Sequence, residues 1–146
     1  MDELVQYLRE CLANTFIMYF KAHQLHWNIE GPNFPQYHEF LGNLYEELHG
    51  AVDPIAEQIR TLDQYAPTSI AAMLAMGAVV ENLFNGQPRE MFTTLNNDNN
   101  ILLLTLTKAY EKAEELGQLG IANFLQDRLT AHEKHGWMLR ATARNA

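Results

Sequence analysis

Residues 36–62 read QYHEFLGNLYEELHGAVDPIAEQIRTL, and their apolar positions recur every three or four residues. This recurrence predicts one long amphipathic helix, because 3.6 residues per turn bring such positions onto one face. The positions are Phe40, Leu44, Leu48, Val52, Ile55 and Ile59. Pro54 lies inside the helix and removes one backbone donor, while Gly50, four residues earlier, gives the backbone room to bend.

Helical periodicity also extends to both sides of this segment. The long helices predicted from apolar spacing are residues 2–27, 36–62, 88–116 and 121–143. Residues 63–88 form a long connection, in which Thr68 or Ser69 is expected to cap a short helix. The predicted fold is all-α, one domain over residues 1–146: a four-helix bundle with a short helix in the crossover between helices 2 and 3.

A polar run, NNDNN at residues 96–100, lies inside the third long helix. Asn and Asp are poor helix formers, so this run by itself argues against a helix. We nevertheless expect the helix to continue through it, because apolar spacing continues on both sides.

The composition narrows the class of protein. The chain has 146 residues, of which 47% are apolar, and this is enough to bury one core. Ten Lys and Arg against 18 Asp and Glu leave a net charge of −8, and the basic residues are scattered along the sequence, so DNA binding is not expected. Cys11 is the single cysteine, so the chain cannot form an internal disulfide and fits a reducing compartment. No secretory signal is recognised at the start of the sequence. No apolar run approaches the roughly 18 residues of a membrane span. We therefore predict a cytoplasmic protein without a membrane partner.

Titratable side chains share one face of the second helix. At 100° per residue, they fall within about 100° of one another. They are His38, Glu46, His49, Asp53 and Glu57. Imidazole nitrogens and carboxylate oxygens together suit divalent iron, manganese or zinc. A solvated polar face is the alternative interpretation of the same pattern.

The spacing of these residues excludes a metal site that takes both His38 and Asp53 from one copy of the helix. His38 and Asp53 are 15 residues apart, which is about 22 Å along a helix. Two copies packed antiparallel about a two-fold axis would bring distant positions together, because residues whose numbers add to a constant face each other. His38 with Glu57, Gly42 with Asp53, and Glu46 with His49 all give the same sum. A symmetric dimer with two equivalent sites follows as a hypothesis.

Other histidines have simpler interpretations. His23 and His26, three residues apart, could bind a metal by themselves, but such pairs are common by chance. His49, His132 and His135, taken singly, are expected to be surface or capping residues rather than metal ligands. A di-iron bundle that holds its metals within one chain needs two Glu-x-x-His motifs, and the sequence has one, at residues 46–49.

Three motifs strongly resemble the Dps family of miniferritins. They are HWNIEGPNF at residues 26–34 followed by HE at 38–39, DPIAE at 53–57, and AHEKHGWMLR at 131–140. The resemblance covers nearly the whole chain and implies a ferritin-like bundle. It also implies a hollow shell of twelve subunits that oxidises ferrous iron, preferentially with hydrogen peroxide rather than dioxygen, and stores the ferric mineral inside.

The resemblance assigns roles to individual residues. His26 and His38 match the histidine ligands that one subunit supplies to the iron. Asp53 and Glu57 match the carboxylate ligands supplied by its two-fold mate, in agreement with the distance argument. Trp27, beside the site, looks like the aromatic residue that intercepts stray oxidising equivalents in the family; simple packing is the alternative.

The sequence departs from the family at Gly42. The family normally has an aspartate four residues after the second histidine, and glycine offers no ligand. One of the two iron positions is then expected to be short of a ligand. Water is one substitute, and Glu46 or His49, on the same face, is another as an auxiliary ligand.

Two further departures bear on function. The sequence has no lysine-rich terminus of the kind that the DNA-binding members use, and the start of the fourth helix has only Asp127 where the family often places several aspartates along the path of incoming iron. Two alternative functions follow. One is a shell-forming structural or DNA-compacting protein with little catalysis, and the other is a helical bundle that binds zinc or manganese.

Overall fold

A computed structural model describes residues 1–144 and 146, and these residues form five helices without a strand. The helices are α1 (Asp2–Asn28), α2 (Phe34–Thr61), α3 (Ile70–Met76), α4 (Pro88–Glu115) and α5 (Leu119–Ala143). The predicted all-α bundle with a short crossover helix is confirmed, and each predicted long helix ends within two residues of its predicted bounds. Ser69, rather than Thr68, caps α3, because its Oγ accepts from the backbone N–H of Ala72.

The long helices pack closely as α1 with α2, α1 with α4, and α4 with α5. Their apolar faces meet in one core, and the large side chains that are fully buried there include Leu8, Leu12, Met18, Leu41, Leu48, Ile55, Phe92 and Leu102. Each such side chain stabilises the fold by about 1.5–3 kcal/mol relative to leaving it exposed. None of the helices within the described residues has the length and apolarity needed to cross a membrane.

Polar side chains of α1 hold the crossover between α2 and α4 in place. The Arg9 guanidinium and the Lys21 ammonium donate to the backbone carbonyl oxygens of Tyr65 and Val80, at 2.9 and 2.7 Å. The Oδ1 atom of Asn14 accepts two consecutive backbone N–H groups of the crossover. Because a buried backbone group without a partner is costly, these contacts explain how a long connection can lie against the bundle.

The polar run at residues 96–100 is helical, as predicted, and its side chains make tertiary contacts. Asp98 forms an ion pair with Lys21, in which Nζ of Lys21 lies 2.7 Å from Oδ2 of Asp98, and both side chains are 7% exposed. Asn99 donates from Nδ2 to the backbone carbonyl oxygen of His132 in α5. Burial raises the pKa of Asp98, although Lys21 opposes this. These contacts offset the low helix propensity of the run.

An ion-pair network joins α2 to α5, which do not pack closely through their backbones. The Glu47 carboxylate accepts from Arg128 at 3.0 Å and lies 2.6 Å from Nε2 of His135. Arg128 also donates to Nε2 of His132, whose Nδ1 donates to Asn99 in α4. The expectation that His132 and His135 lie at the surface is therefore wrong: both are buried, because the network provides their polar partners.

The network shifts the protonation of its members. Burial, followed by the charges of Arg128 and His135, lowers the pKa of His132 from 6.5 to about 3. Burial opposes ionisation of Glu47, but hydrogen bonds from His135 and Arg128 outweigh it and hold the pKa of Glu47 well below its usual value. At neutral pH, His132 is neutral and Glu47 is ionised, which is the state that the hydrogen bonds require.

Glu47→Gln should lower the free energy of unfolding by about 2 kcal/mol at pH 7, because it leaves the buried Arg128 without a counter-charge. The loss is smaller than for a fully buried pair, since the Glu47 side chain is 36% exposed. The folded pKa of Glu47 lies below the unfolded one, so its contribution is present above pH 4.5 and is lost as the pH falls below that value.

Urea unfolding of both chains between pH 7 and pH 3.5 measures this difference. Glu133→Gln, which neutralises an exposed carboxylate on α5, is the matched control and should change stability by less than about 0.5 kcal/mol. If the difference between Glu47→Gln and the unmodified chain does not narrow below pH 4.5, the carboxylate does not stabilise the fold through its charge.

Candidate metal centre

His26 and His38 lie side by side where α1 ends and α2 begins. Their ring centroids are 3.7 Å apart, and the ring planes are 17° from parallel. Nδ1 of His26 donates to the backbone carbonyl oxygen of His38 at 2.7 Å, and Nδ1 of His38 donates to the carbonyl oxygen of His26 at 2.8 Å. This reciprocal pair of hydrogen bonds fixes both rings relative to the two helix ends.

The same hydrogen bonds determine which ring nitrogens are available. A carbonyl oxygen only accepts, so each Nδ1 must carry the hydrogen. In the neutral ring, the lone pair is then on Nε2, which is a common ligand for divalent metals. Both side chains are half-buried, so their rings are held without being closed off from solvent. The two histidines thus have the geometry expected of one half of the predicted metal site, and the backbone orients them.

The carboxylates assigned to the site lie elsewhere on the chain. Asp53 and Glu57 are exposed on α2, and about 22 Å of helix separates Asp53 from His38. Among the described residues of one chain, no group of three or more His, Cys, Asp or Glu could hold a metal ion. The structure thus brings together the two histidines and not the carboxylates. A four-ligand site remains a prediction that requires a second copy of the chain.

Gly42 lies against the His26 ring, one turn after His38. A Cβ atom at residue 42 would be 3.2 Å from Cε1 of His26 and 3.5 Å from Nδ1. Any side chain here would therefore require the ring to move by a few tenths of an ångström. Sequence reasoning identified Gly42 as a missing ligand, but the room that it leaves for His26 could be found only in the fold.

An aromatic cluster around His23 lies next to the histidine pair and was missed from the sequence. The Tyr19 hydroxyl is 2.8 Å from Nδ1 of His23, and the Tyr45 ring stacks on His23 with centroids 3.7 Å apart. The His49 ring is 4.9 Å from that of Tyr19. Burial, followed by the charges that His26 and His49 can carry, lowers the pKa of His23. The four-residue spacing of Tyr19 and His23 is a sequence signal, whereas Tyr45 joins them only through helix packing.

The remaining candidate residues lie at the surface around this cluster. Trp27 is 57% exposed, and its ring centroid is 4.4 Å from that of His23. Glu46 and His49 are also exposed, on α2. These positions are compatible with the roles predicted for the three residues, but no contact within one chain tests those roles.

Apolar side chains are exposed beside the candidate site. Phe20 and Trp27 of α1 and Ile70 and Leu74 of α3 are between 41% and 62% exposed. An open groove of about 250 Å³ lies between the two helices, with Phe20, Ile70 and Leu74 among its lining residues. Clustered exposed apolar groups mark interaction surfaces more often than free surface. The face that carries the half-site thus has the character of an interface.

Known proteins share both the sequence pattern and the fold. The family model for the ferritin-like domain matches residues 5–146. A DNA protection during starvation protein of Brevibacillus brevis is 33% identical over 134 residues, covering 92% of this chain and 90% of the relative.

Solved structures agree with this match. A Dps protein from Bacillus brevis superposes with a TM-score of 0.91 at 31% identity, covering 96% of this chain and 94% of that one. A Dps protein of Vibrio cholerae O1 superposes with a TM-score of 0.91 at 29% identity, covering 96% of this chain and 88% of that one. That protein is described as a member of a broad superfamily of ferritin-like diiron-carboxylate proteins.

The bundle topology, the family match over nearly the whole chain and the identity to Dps proteins agree with one another. The chain belongs to the ferritin-like superfamily and, within it, to the Dps family of miniferritins.

Proposed function

We propose that this protein is a ferroxidase that oxidises Fe(II) at dimer-interface sites and stores the ferric product in a hollow shell, protecting against oxidative damage. The observation that carries the proposal is the His26–His38 pair, in which backbone hydrogen bonds leave both Nε2 atoms free to bind a metal. Iron is the substrate and the stored cargo.

The second half of the site comes from a two-fold mate. Asp53 and Glu57 are exposed on the same helix as His38, and one antiparallel register brings them to the histidines of a second copy. The exposed apolar groups beside the half-site support burial of this face against that copy. Six such dimers make the shell of twelve subunits that the family resemblance implies.

The residues supply binding and orientation rather than redox chemistry of their own. Imidazole nitrogens and hard carboxylate oxygens bind ferrous iron and leave positions open for the oxidant. With hydrogen peroxide, two ferrous ions give one electron each, the O–O bond breaks, and two protons complete two water molecules. Dioxygen is the alternative oxidant. Trp27, exposed near the site, is proposed to intercept stray oxidising equivalents.

The proposed location is the cytoplasm. Cys11 is buried and free, and burial raises the pKa of its thiol far above the usual range, so it remains a neutral core side chain. A chain without a disulfide among its described residues fits a reducing compartment.

Asp53→Ala and His38→Ala should each abolish fast iron oxidation in homogeneous assemblies, because every site loses a ligand. A mixed assembly should recover about a quarter of the original rate, since half of random dimers are hybrids with one intact site. Stopped-flow absorbance after anaerobic loading with Fe(II) and addition of peroxide measures the rate. Absence of recovery in assemblies that mass spectrometry shows to be mixed would mean that the ligands come from one chain.

Gly42→Asp should raise the number of Fe(II) ions bound tightly per subunit and the initial oxidation rate, because it supplies the carboxylate that the family has at this position. Anaerobic Fe(II) titration by calorimetry measures the number bound. Gly42→Ala is the control, since it adds the same Cβ against His26 and stabilises the helix, by about 1 kcal/mol, without adding a ligand. Equal effects of Ala and Asp would contradict the missing-ligand hypothesis. Water, Glu46 or His49 would then remain as the ligand that takes the place of the absent carboxylate.

The assembled protein should not shift DNA in a gel near pH 7 and about 0.15 M salt, because counterion release requires many cationic contacts and the chain has a net charge of −8. A shift that survives added salt would favour the DNA-compacting alternative. Zinc or manganese binding without Fe(II) oxidation would favour the second alternative, a helical bundle that binds one of those metals.

A further inference from the structure

Folding brings Arg89 together with Arg140 and Arg144, which are more than 50 residues away from it in the sequence. Arg89 lies in the first turn of α4, while Arg140 and Arg144 lie at the end of α5. They border one open cavity of about 260 Å³. The cavity is lined by Arg89, Thr93, Asn96, Arg140, Ala143 and Arg144. Half of the six arginines of an acidic chain therefore converge on one place.

The charges of these arginines are not neutralised within the chain. Among the described residues, no carboxylate lies within 4.0 Å of any of the three guanidinium groups. Glu90, the acidic neighbour of Arg89, instead accepts a hydrogen bond from Asn85. Like charges gathered without a counter-charge repel one another, so the cluster lowers its energy when an anion joins it.

The guanidinium of Arg140 lies beside Gly136 of α5 and near Asn99 of α4. A Cβ atom at Gly136, one turn earlier on α5, would be 2.9 Å from Nη1 of Arg140 and 3.0 Å from Nδ2 of Asn99 in α4. Glycine at this position thus lets the Arg140 side chain lie in the crevice between α4 and α5.

We propose that the cavity between the start of α4 and the end of α5 is a binding site for inorganic phosphate. Guanidinium groups match the oxygens of phosphate in planar, bidentate pairs, which a compact ammonium cannot do. Thr93 and Asn96 add neutral hydrogen-bonding groups to the lining. The positive end of the α4 dipole lies near Arg89 and also favours an anion. The site is separate from the His26–His38 pair and does not depend on the proposed iron chemistry.

Titration calorimetry with potassium phosphate, at ionic strength matched with potassium chloride, tests the site on the assembled protein. Arg89→Gln and Arg140→Gln should each weaken phosphate binding by about tenfold or more, because each removes a charge-assisted hydrogen-bonding group. Lys108→Gln is the matched control: it removes one exposed cation from α4, away from the cavity, and should leave the affinity unchanged within about twofold. Gel filtration verifies that all variants assemble.

Three results would overturn the proposal. The first is no binding of millimolar phosphate by the unmodified protein, and the second is equal binding by the arginine variants and the Lys108→Gln control. The third concerns the source of the phosphate group, and it is tested by adding a short DNA duplex as a competitor in the same assay. If the duplex binds more tightly than inorganic phosphate, and through the same arginines, the surface contacts nucleic acid rather than the free anion.

Discussion

The stiffness of α2 is the constraint on which the candidate site depends. Fifteen residues of helix hold His38 and Asp53 about 22 Å apart, and no rearrangement of side chains can close that distance. The backbone hydrogen bonds between His26 and His38 complete one half of the site within the chain. In the proposed site the carboxylate half comes from another copy, which would link the proposed chemistry to assembly.

Buried polar groups give the bundle its specific arrangement. The apolar stripes by themselves do not specify which helices lie next to each other, whereas the Lys21–Asp98 and Glu47–Arg128 ion pairs join particular residues of different helices. Breaking either ion pair would leave a poorly solvated charge, which costs more than the pair itself contributes. The same contacts hold the low-propensity Asn and Asp residues of α4 in a helix.

Gly42 shows how one residue can be interpreted at two levels. In the sequence, it is the absence of a carboxylate at a position where the family has one. In the fold, it is also the space occupied by the edge of the His26 ring, with Cε1 only 3.2 Å from where a Cβ would lie. A substitution there changes ligand number and ring position together, and only a pair of substitutions can separate the two effects.

Helix positions and the crossover were determined by the sequence alone, and the two-copy site was predicted from it, because all three follow from residue spacing along a regular helix. The Tyr45–His23 stack, the burial of His132 and the convergence of Arg89 with Arg140 were decided only by the tertiary structure. These contacts join residues from different helices, and periodicity specifies which face of a helix is apolar but not which residue of the next helix lies opposite it. The basic residues are scattered in the sequence, yet folding brings three of them together.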